Sequence, residues 1–212
     1  MDDPGTKKVT VRATTTQMAV SLISYITNFQ ASLAQPAEAK TIFFEDAPTN
    51  ADLANFPSNN AGDGDPAQSF LTLAAPIKVT KIELLVRRAT ALPSNIYIEL
   101  RSNPTGIPLA SSIVISASTT SATALAWTEF RFPDLVPLAA LTTYYIRLRS
   151  VPSSTDAGSG SAGTMYWGYR QTASSPYAGG EARRYIGRLS NPADSGEILT
   201  EYDFGFRIFV SQ

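Results

Sequence analysis

The chain has 212 residues, 43% of them hydrophobic and 17% charged, with seventeen basic against eighteen acidic side chains and a formal net charge of −1. That is the composition of a folded protein long enough for one generous domain with an appendage, or for two small domains, and without a basic stripe it excludes phosphate-driven nucleic-acid binding. Neither cysteine nor histidine occurs, which removes disulfides, thiolate metal sites, cysteine nucleophiles and the usual partner of a catalytic serine, so no enzyme is expected.

The first residues, MDDPGTKKV, lack the basic-then-apolar order of a signal peptide, and no apolar run approaches the roughly 20 residues of a membrane span. Synthesis in the cytoplasm without membrane insertion is the expectation. Residues 7–12 (KKVTVR) alternate as a short strand. From Thr16 an apolar series at Met18, Leu22, Ile26, Phe29 and Leu33 runs at spacings of 4, 4, 3 and 4, which predicts one face of a helix. Thr14, Thr15 or Thr16 caps its start and Gln35-Pro36 stops it. Val20, Ile23, Tyr25 and Thr27 lower helix propensity and leave a strand reading open.

Such a stripe needs a partner surface in water. The partner is either the rest of the chain or another copy, because Leu22, Ile26, Phe29 and Leu33 also form a two-heptad seam. Residues 1–46 are therefore assigned as an anchoring or oligomerisation arm, helical or extended. Residues 47–66 (APTNADLANFPSNNAGDGDP) are a linker or loop, rich in residues that favour turns. Within it Asn59, Asn60, Asp63 and Asp65, with Gly62 and Gly64, supply hard oxygen ligands suited to Ca²⁺. A bidentate Glu at the twelfth position is missing, so a solvated turn is the plainer reading; Asp63 and Asp65 are the metal candidates, and no other cofactor is expected.

Residues 67–212 form the second domain. Short strand-like runs at 68–73, 79–88, 95–102, 112–116, 126–132, 143–149, 164–169, 183–187 and 203–210 are separated by turn signals, with no room for crossover helices. The pattern predicts a mainly β fold, an antiparallel β-sandwich of jelly-roll or related type. Alternation assigns Ile82, Leu84 and Val86, then Ile96, Ile98 and Leu100, then Phe204, Phe206, Ile208 and Val210 to the core, and Glu83, Arg87, Tyr97, Glu99, Arg101 and Arg207 to opposite faces. Trp127 is expected in the core although Glu129 shares its parity and Phe130 does not. Residues 153–163 (SSTDAGSGSAG) read as an exposed loop.

The stretch MYWGYRQTASSPYAGGEARR, residues 165–184, concentrates aromatic residues around a glycine pair. Large aromatics are mostly buried, so Met165 and Trp167 are expected to point inward and Tyr166 outward. Tyr169, Arg170 and Tyr177 are the ligand candidates, since aromatic faces with polar tips suit sugar rings. The acids Glu181, Glu197, Glu201 and Asp203 invite comparison with a glycosidase pair, but acids beside Gly and Ser in loops are read as solvated.

Taken in order, QSFLTL, KVTKIELLVRR, NIYIELRSNPTGIPLASS, WTEFRFPDLVPLAALTTYYIRLRS, MYWGYRQTASSPYAGGEA and YDFGFRIFV resemble the jelly-roll modules of bacteriophage virion proteins and bacterial surface proteins. The resemblance spans residues 67–212. It implies a non-enzymatic structural or attachment module on a virion surface, held on a tail fibre, baseplate or capsid by its N-terminal segment. Its implied partners are copies of itself, as a trimer, and other virion proteins. The alternative is a carbohydrate-binding, lectin-like module that engages a cell-surface glycan.

Overall fold

In the computed structural model, which describes residues 6–15, 18–27, 37–45, 53–54, 66–88, 95–104, 107–150, 165–173, 175–184 and 197–211, the N-terminal stretch is a hairpin. β1 (Thr6–Thr15) and β2 (Met18–Thr27) pair antiparallel throughout, from Thr15 opposite Met18 to Thr6 opposite Thr27. This corrects the helix expected from Thr16. A spacing of four is even, so Met18, Leu22 and Ile26 have one parity in a strand just as they share one side of a helix, and Val20 belongs to the same set. Only the step of three from Ile26 to Phe29 was specific to a helix. Against it stand the β-branched Val20, Ile23, Ile26 and Thr27 and the aromatic Tyr25, which favour a pleated strand. Phe29 and Leu33 lie outside the described residues.

The chain divides into two compact units, Met1–Ala37 and Glu38–Ser211. In the second unit the strands are β3 (Glu38–Phe44), β4 (Leu53–Ala54), β5 (Pro66–Leu71), β6 (Ile77–Arg88), β7 (Ile96–Arg101), β8 (Ala110–Ser111), β9 (Ala126–Leu138), β10 (Thr143–Ser150), β11 (Met165–Gln171), β12 (Ala182–Arg184), β13 (Glu197–Leu199), β14 (Tyr202–Phe204) and β15 (Phe206–Ser211). They form two antiparallel sheets. One has the order β13-β12-β5-β10-β7-β8; the other runs β14-β11-β6-β15-β3, with β9 on β6 and β4 on β11. Residues 38–44, within the segment assigned to the arm, thus pair with the last strand, and Leu53–Ala54, inside the expected linker, pair with Gly168 and Trp167.

Period-2 alternation explains how the sheets meet. Ile82, Leu84 and Val86 of β6, Phe206, Ile208 and Val210 of β15, and Phe130 and Phe132 of β9 turn into one hydrophobic core with Phe70, Ile96, Ile98, Leu100, Tyr144, Ile146 and Leu148 of the other sheet. The rings of Phe70 and Phe206 lie 6.1 Å apart across it. Each large side chain so buried contributes about 1.5–3 kcal/mol. The single run expected at 203–210 is split by Gly205 into β14 and β15. There the Gly205 N–H donates to the Gly168 carbonyl at 2.8 Å and the Leu85 N–H to the Gly205 carbonyl at 3.2 Å.

Trp127 is a second correction. Phe130 is fully buried and sets the inward parity of β9, so Trp127 falls with Glu129 and Arg131 on the opposite face. The Arg207 guanidinium covers its ring at 3.8 Å. β9 also carries Pro133 and Pro137, which cannot donate to a ladder, and the register shift between Val79 and Lys81 accommodates the extra residues. On the other sheet Glu99 and Arg101 have the outward parity expected of them, yet each is only 7% exposed, joined by a 2.6 Å ion pair.

Candidate functional site

The aromatic stretch 165–184 supplies β11, a connecting loop and β12, and its inward residues behave as expected for a core strand. Trp167 is 1% exposed, stacks on Phe204 at 4.7 Å and donates its indole N–H to the Gly205 carbonyl at 2.8 Å. Met165 packs against the core, and Tyr166 lies beneath the Arg87 guanidinium at 4.0 Å. Of the ligand candidates, Tyr169 is buried, with its ring 4.9 Å from Tyr202 and 6.4 Å from Phe204. Tyr177 is half-buried between Phe44 at 5.7 Å and Phe206 at 5.3 Å. Arg170 is partly exposed on β11, opposite Asp203 in the register. Both tyrosine rings are therefore engaged by other rings of the same chain.

The chemistry at this corner centres on Asp203, which is fully buried rather than solvated as its loop-like neighbours suggested. Its Oδ1 accepts from Gln68 Nε2 at 2.8 Å, and its Oδ2 accepts from the Ser175 hydroxyl at 2.5 Å and the Tyr177 N–H at 2.9 Å. Gln68, also fully buried, accepts from the Phe204 N–H at 2.7 Å and donates to the Ser69 carbonyl at 3.1 Å. The pair ties β5 of one sheet to β14 of the other and holds the loop that carries Ser175 and Tyr177. Burial pushes the Asp203 carboxyl above its ordinary range, against the three hydrogen bonds that favour the charge. Burial likewise pushes the Tyr177 phenol up to about 12, with the Asp203 charge adding to it.

Gly180 closes the loop against β5. A Cβ there would lie 2.0 Å from the Ser69 carbonyl oxygen, so only glycine permits this approach. Beside it the Ser69 N–H donates to the Glu181 carbonyl at 2.9 Å and the Glu181 N–H to Ser69 Oγ at 2.8 Å. The arrangement is a clamp: its carboxylate is out of solvent and its acceptors are already used. Of the remaining acids considered as a pair with it, Glu181 bonds Arg183 at 2.6 Å and Glu201 is exposed.

The outward face of the larger sheet carries a lattice of matched charges. Lys81 lies 2.7 Å from Glu129 and 3.4 Å from Glu38, Arg131 lies 2.8 Å from Glu38, and Arg207 pairs with Glu83 and Glu45. Burial pulls the Lys81 ammonium down, but Glu129 and Glu38 outweigh it and hold it above the usual lysine range. A hydrogen bond from Lys81 holds the Glu129 carboxyl below its ordinary value, and Lys40 does the same for Glu45. Aromatic rings on this face are capped by cations: Lys40 over Phe43 at 4.4 Å, Lys81 over Phe209 at 4.5 Å and Arg207 over Trp127.

Of the oligomerisation residues, Met18, Leu22 and Ile26 lie in β2, opposite Thr15, Val11 and Lys7. Asp63 and Asp65 lie outside the described residues. Among the described residues no group of three or more acids is placed to hold a metal ion. The Gln68–Asp203 clamp was missed by sequence reasoning, although an aspartate set among aromatics in Tyr202–Asp203–Phe204–Gly205–Phe206 is its signal. No family model matches the chain, and no curated protein matches it either.

Proposed function

We propose that this chain is a structural or attachment protein of a phage-like virion: a jelly-roll-like β-sandwich displayed on the particle surface and anchored by its N-terminal unit through non-covalent assembly rather than catalysis. The observation that carries the reading is the two-unit division, in which β1 and β2 form a sheet of their own while residues 38–211 make two sheets around one core. A two-stranded ribbon is marginal by itself in water. Trimerisation, or docking on other virion proteins, supplies the further surface that Met18, Val20, Leu22 and Ile26 call for. The absence of histidine and cysteine from the sequence and the saturated carboxylate of Asp203 also favour display over catalysis.

The test is to purify phage-like particles from cultures of the source and label them with antibody raised against the chain. Regular labelling of intact particles is the expected result. Particles that lack the chain, with the protein found free in the medium, would contradict the reading.

A further inference from the structure

A hydroxyl, a carboxylate and a carboxamide meet at the corner held by Asp203. The Ser175 hydroxyl donates to Asp203 Oδ2 at 2.5 Å and Gln68 Nε2 donates to Asp203 Oδ1 at 2.8 Å, so both sit on one carboxylate. Gln68 Oε1 accepts from the Phe204 N–H at 2.7 Å. Gln68 and Asp203 are 0% exposed, whereas Ser175, on the connection between β11 and β12, is exposed. The Ser175 hydroxyl also lies 3.1 Å from the Tyr177 carbonyl, a longer contact than the one to Asp203.

These are the parts of an acyl transfer. Ser175 Oγ is the nucleophile and Asp203 the general base. Burial raises the Asp203 carboxyl above its ordinary range, which brings its affinity for a proton closer to what that role needs. The Phe204 N–H points at the carboxamide oxygen, where negative charge would develop, and so serves as an oxyanion donor. The Gln68 side chain is out of solvent, so water does not compete for its carbon.

We propose that Ser175 and Gln68 join through an ester cross-link that the chain forms on itself. Ser175 Oγ attacks Gln68 Cδ as Asp203 takes the hydroxyl proton. The Cδ–Nε2 bond then breaks, Asp203 returns that proton to the departing nitrogen, and ammonia leaves. One hydroxyl and one carboxamide give one ester and one ammonia, with no oxidant or cofactor. Ammonia takes up a further proton from water at neutral pH, which draws the exchange forward. Attack requires about 3–3.5 Å between the reacting atoms, and the exposed Ser175 is the member whose side chain can turn from the carboxylate to the carbon. A carboxamide is a poor electrophile and one oxyanion donor lowers the barrier only in part. The step therefore follows folding slowly, and the bonding given above is that of the unreacted chain. Each copy reacts once and is its own substrate. The product is a covalent staple between β5 and the connection that precedes β12, and it does not depend on the virion reading.

The experiment is denaturing mass spectrometry of the full-length chain, sampled when freshly purified and again after days at neutral pH. The folded wild type is expected to lose about 17 Da, the mass of one ammonia released by the nucleophile. A tryptic digest of the aged sample should then contain residues 41–78 joined to residues 171–183. Hydroxylamine, which cleaves esters and spares amides, should part them. Ser175→Ala, at an exposed position, and Asp203→Asn, each shown to be folded by circular dichroism, should give no joined peptide, and neither should wild type kept in urea. An aged wild type without the joined peptide, a joined peptide in either variant or in urea, or a link that hydroxylamine leaves intact would each overturn the proposal.

Discussion

Replacing Asp203 with asparagine keeps the shape of the clamp and changes only its hydrogen-bonding logic. In the wild type both carboxylate oxygens accept, one from Gln68 Nε2 and the other from the Ser175 hydroxyl and the Tyr177 N–H. An asparagine offers one acceptor and one NH₂, so either Tyr177 or Gln68 faces a donor. Gln68 cannot flip to help, because its Oε1 accepts from the Phe204 N–H at 2.7 Å. One buried donor left unpaired costs about 1–3 kcal/mol, and relief of the buried charge returns part of it. The net expectation is a loss of about 1–2 kcal/mol at neutral pH, which for a unit of this size is a fall of roughly 2–8 °C in melting temperature.

The pH dependence sharpens the test. Burial raises the folded pKa of Asp203 above its unfolded value, so the native state binds the proton more tightly. The stability tied to that proton is fully present below the unfolded pKa and is lost as pH rises through the folded one. The wild type can place the proton on Oδ2 and donate it to Ser175 Oγ, whereas asparagine has no such step. The stability gap between wild type and Asp203→Asn, followed by urea unfolding, should therefore widen on going from neutral pH to about pH 4. A variant as stable as the wild type at both values, or a gap that closes in acid, would refute the clamp.

Two further outcomes follow from the same corner. Gly180→Ala places a Cβ against the backbone oxygen of Ser69 and should cost about 3 kcal/mol or more by urea midpoint; a change under about 1 kcal/mol would mean the loop is not held there. Because Tyr177 titrates in the folded state at about 12, above its ordinary value of about 10, its contribution is intact below the lower value and is lost as pH rises toward the higher one. Tyr177→Phe should flatten the loss of thermal stability across that window, and an unchanged slope would contradict the assigned burial.

Much of the fold was legible because strand parity is a short-range signal. Ile82, Leu84 and Val86 needed only their neighbours to be placed inward, and they are fully buried. Where two periodicities agree, the signal fails. Met18, Leu22 and Ile26 satisfy helix and strand alike, and the hairpin follows from β-branched neighbours and from pairing with β1. Trp127 was misplaced because size argued for burial while parity argued against it, and parity won once Arg207 was there to cover the ring.

The aromatic stretch showed the same division. Its core residues Met165 and Trp167 were readable, but the partners of Tyr169 and Tyr177 come from β14, β15 and β3, far away in sequence. Asp203 looked like a solvated loop acid since its three donors lie 26, 28 and 135 residues distant. Its aromatic neighbours Tyr202, Phe204 and Phe206 signal burial, but nothing local names the distant donors that reach it.

The central claim is that the N-terminal hairpin is completed by other protein surface, and the oligomeric mass of the full-length chain in solution tests it most directly. Multi-angle light scattering should give a multiple of 22.7 kDa, a trimer on this account, and Leu22→Asp should reduce it to the single-chain mass with the two-sheet unit still folded by circular dichroism. A wild type that elutes at 22.7 kDa across the concentration range would contradict the self-assembly on which the account rests.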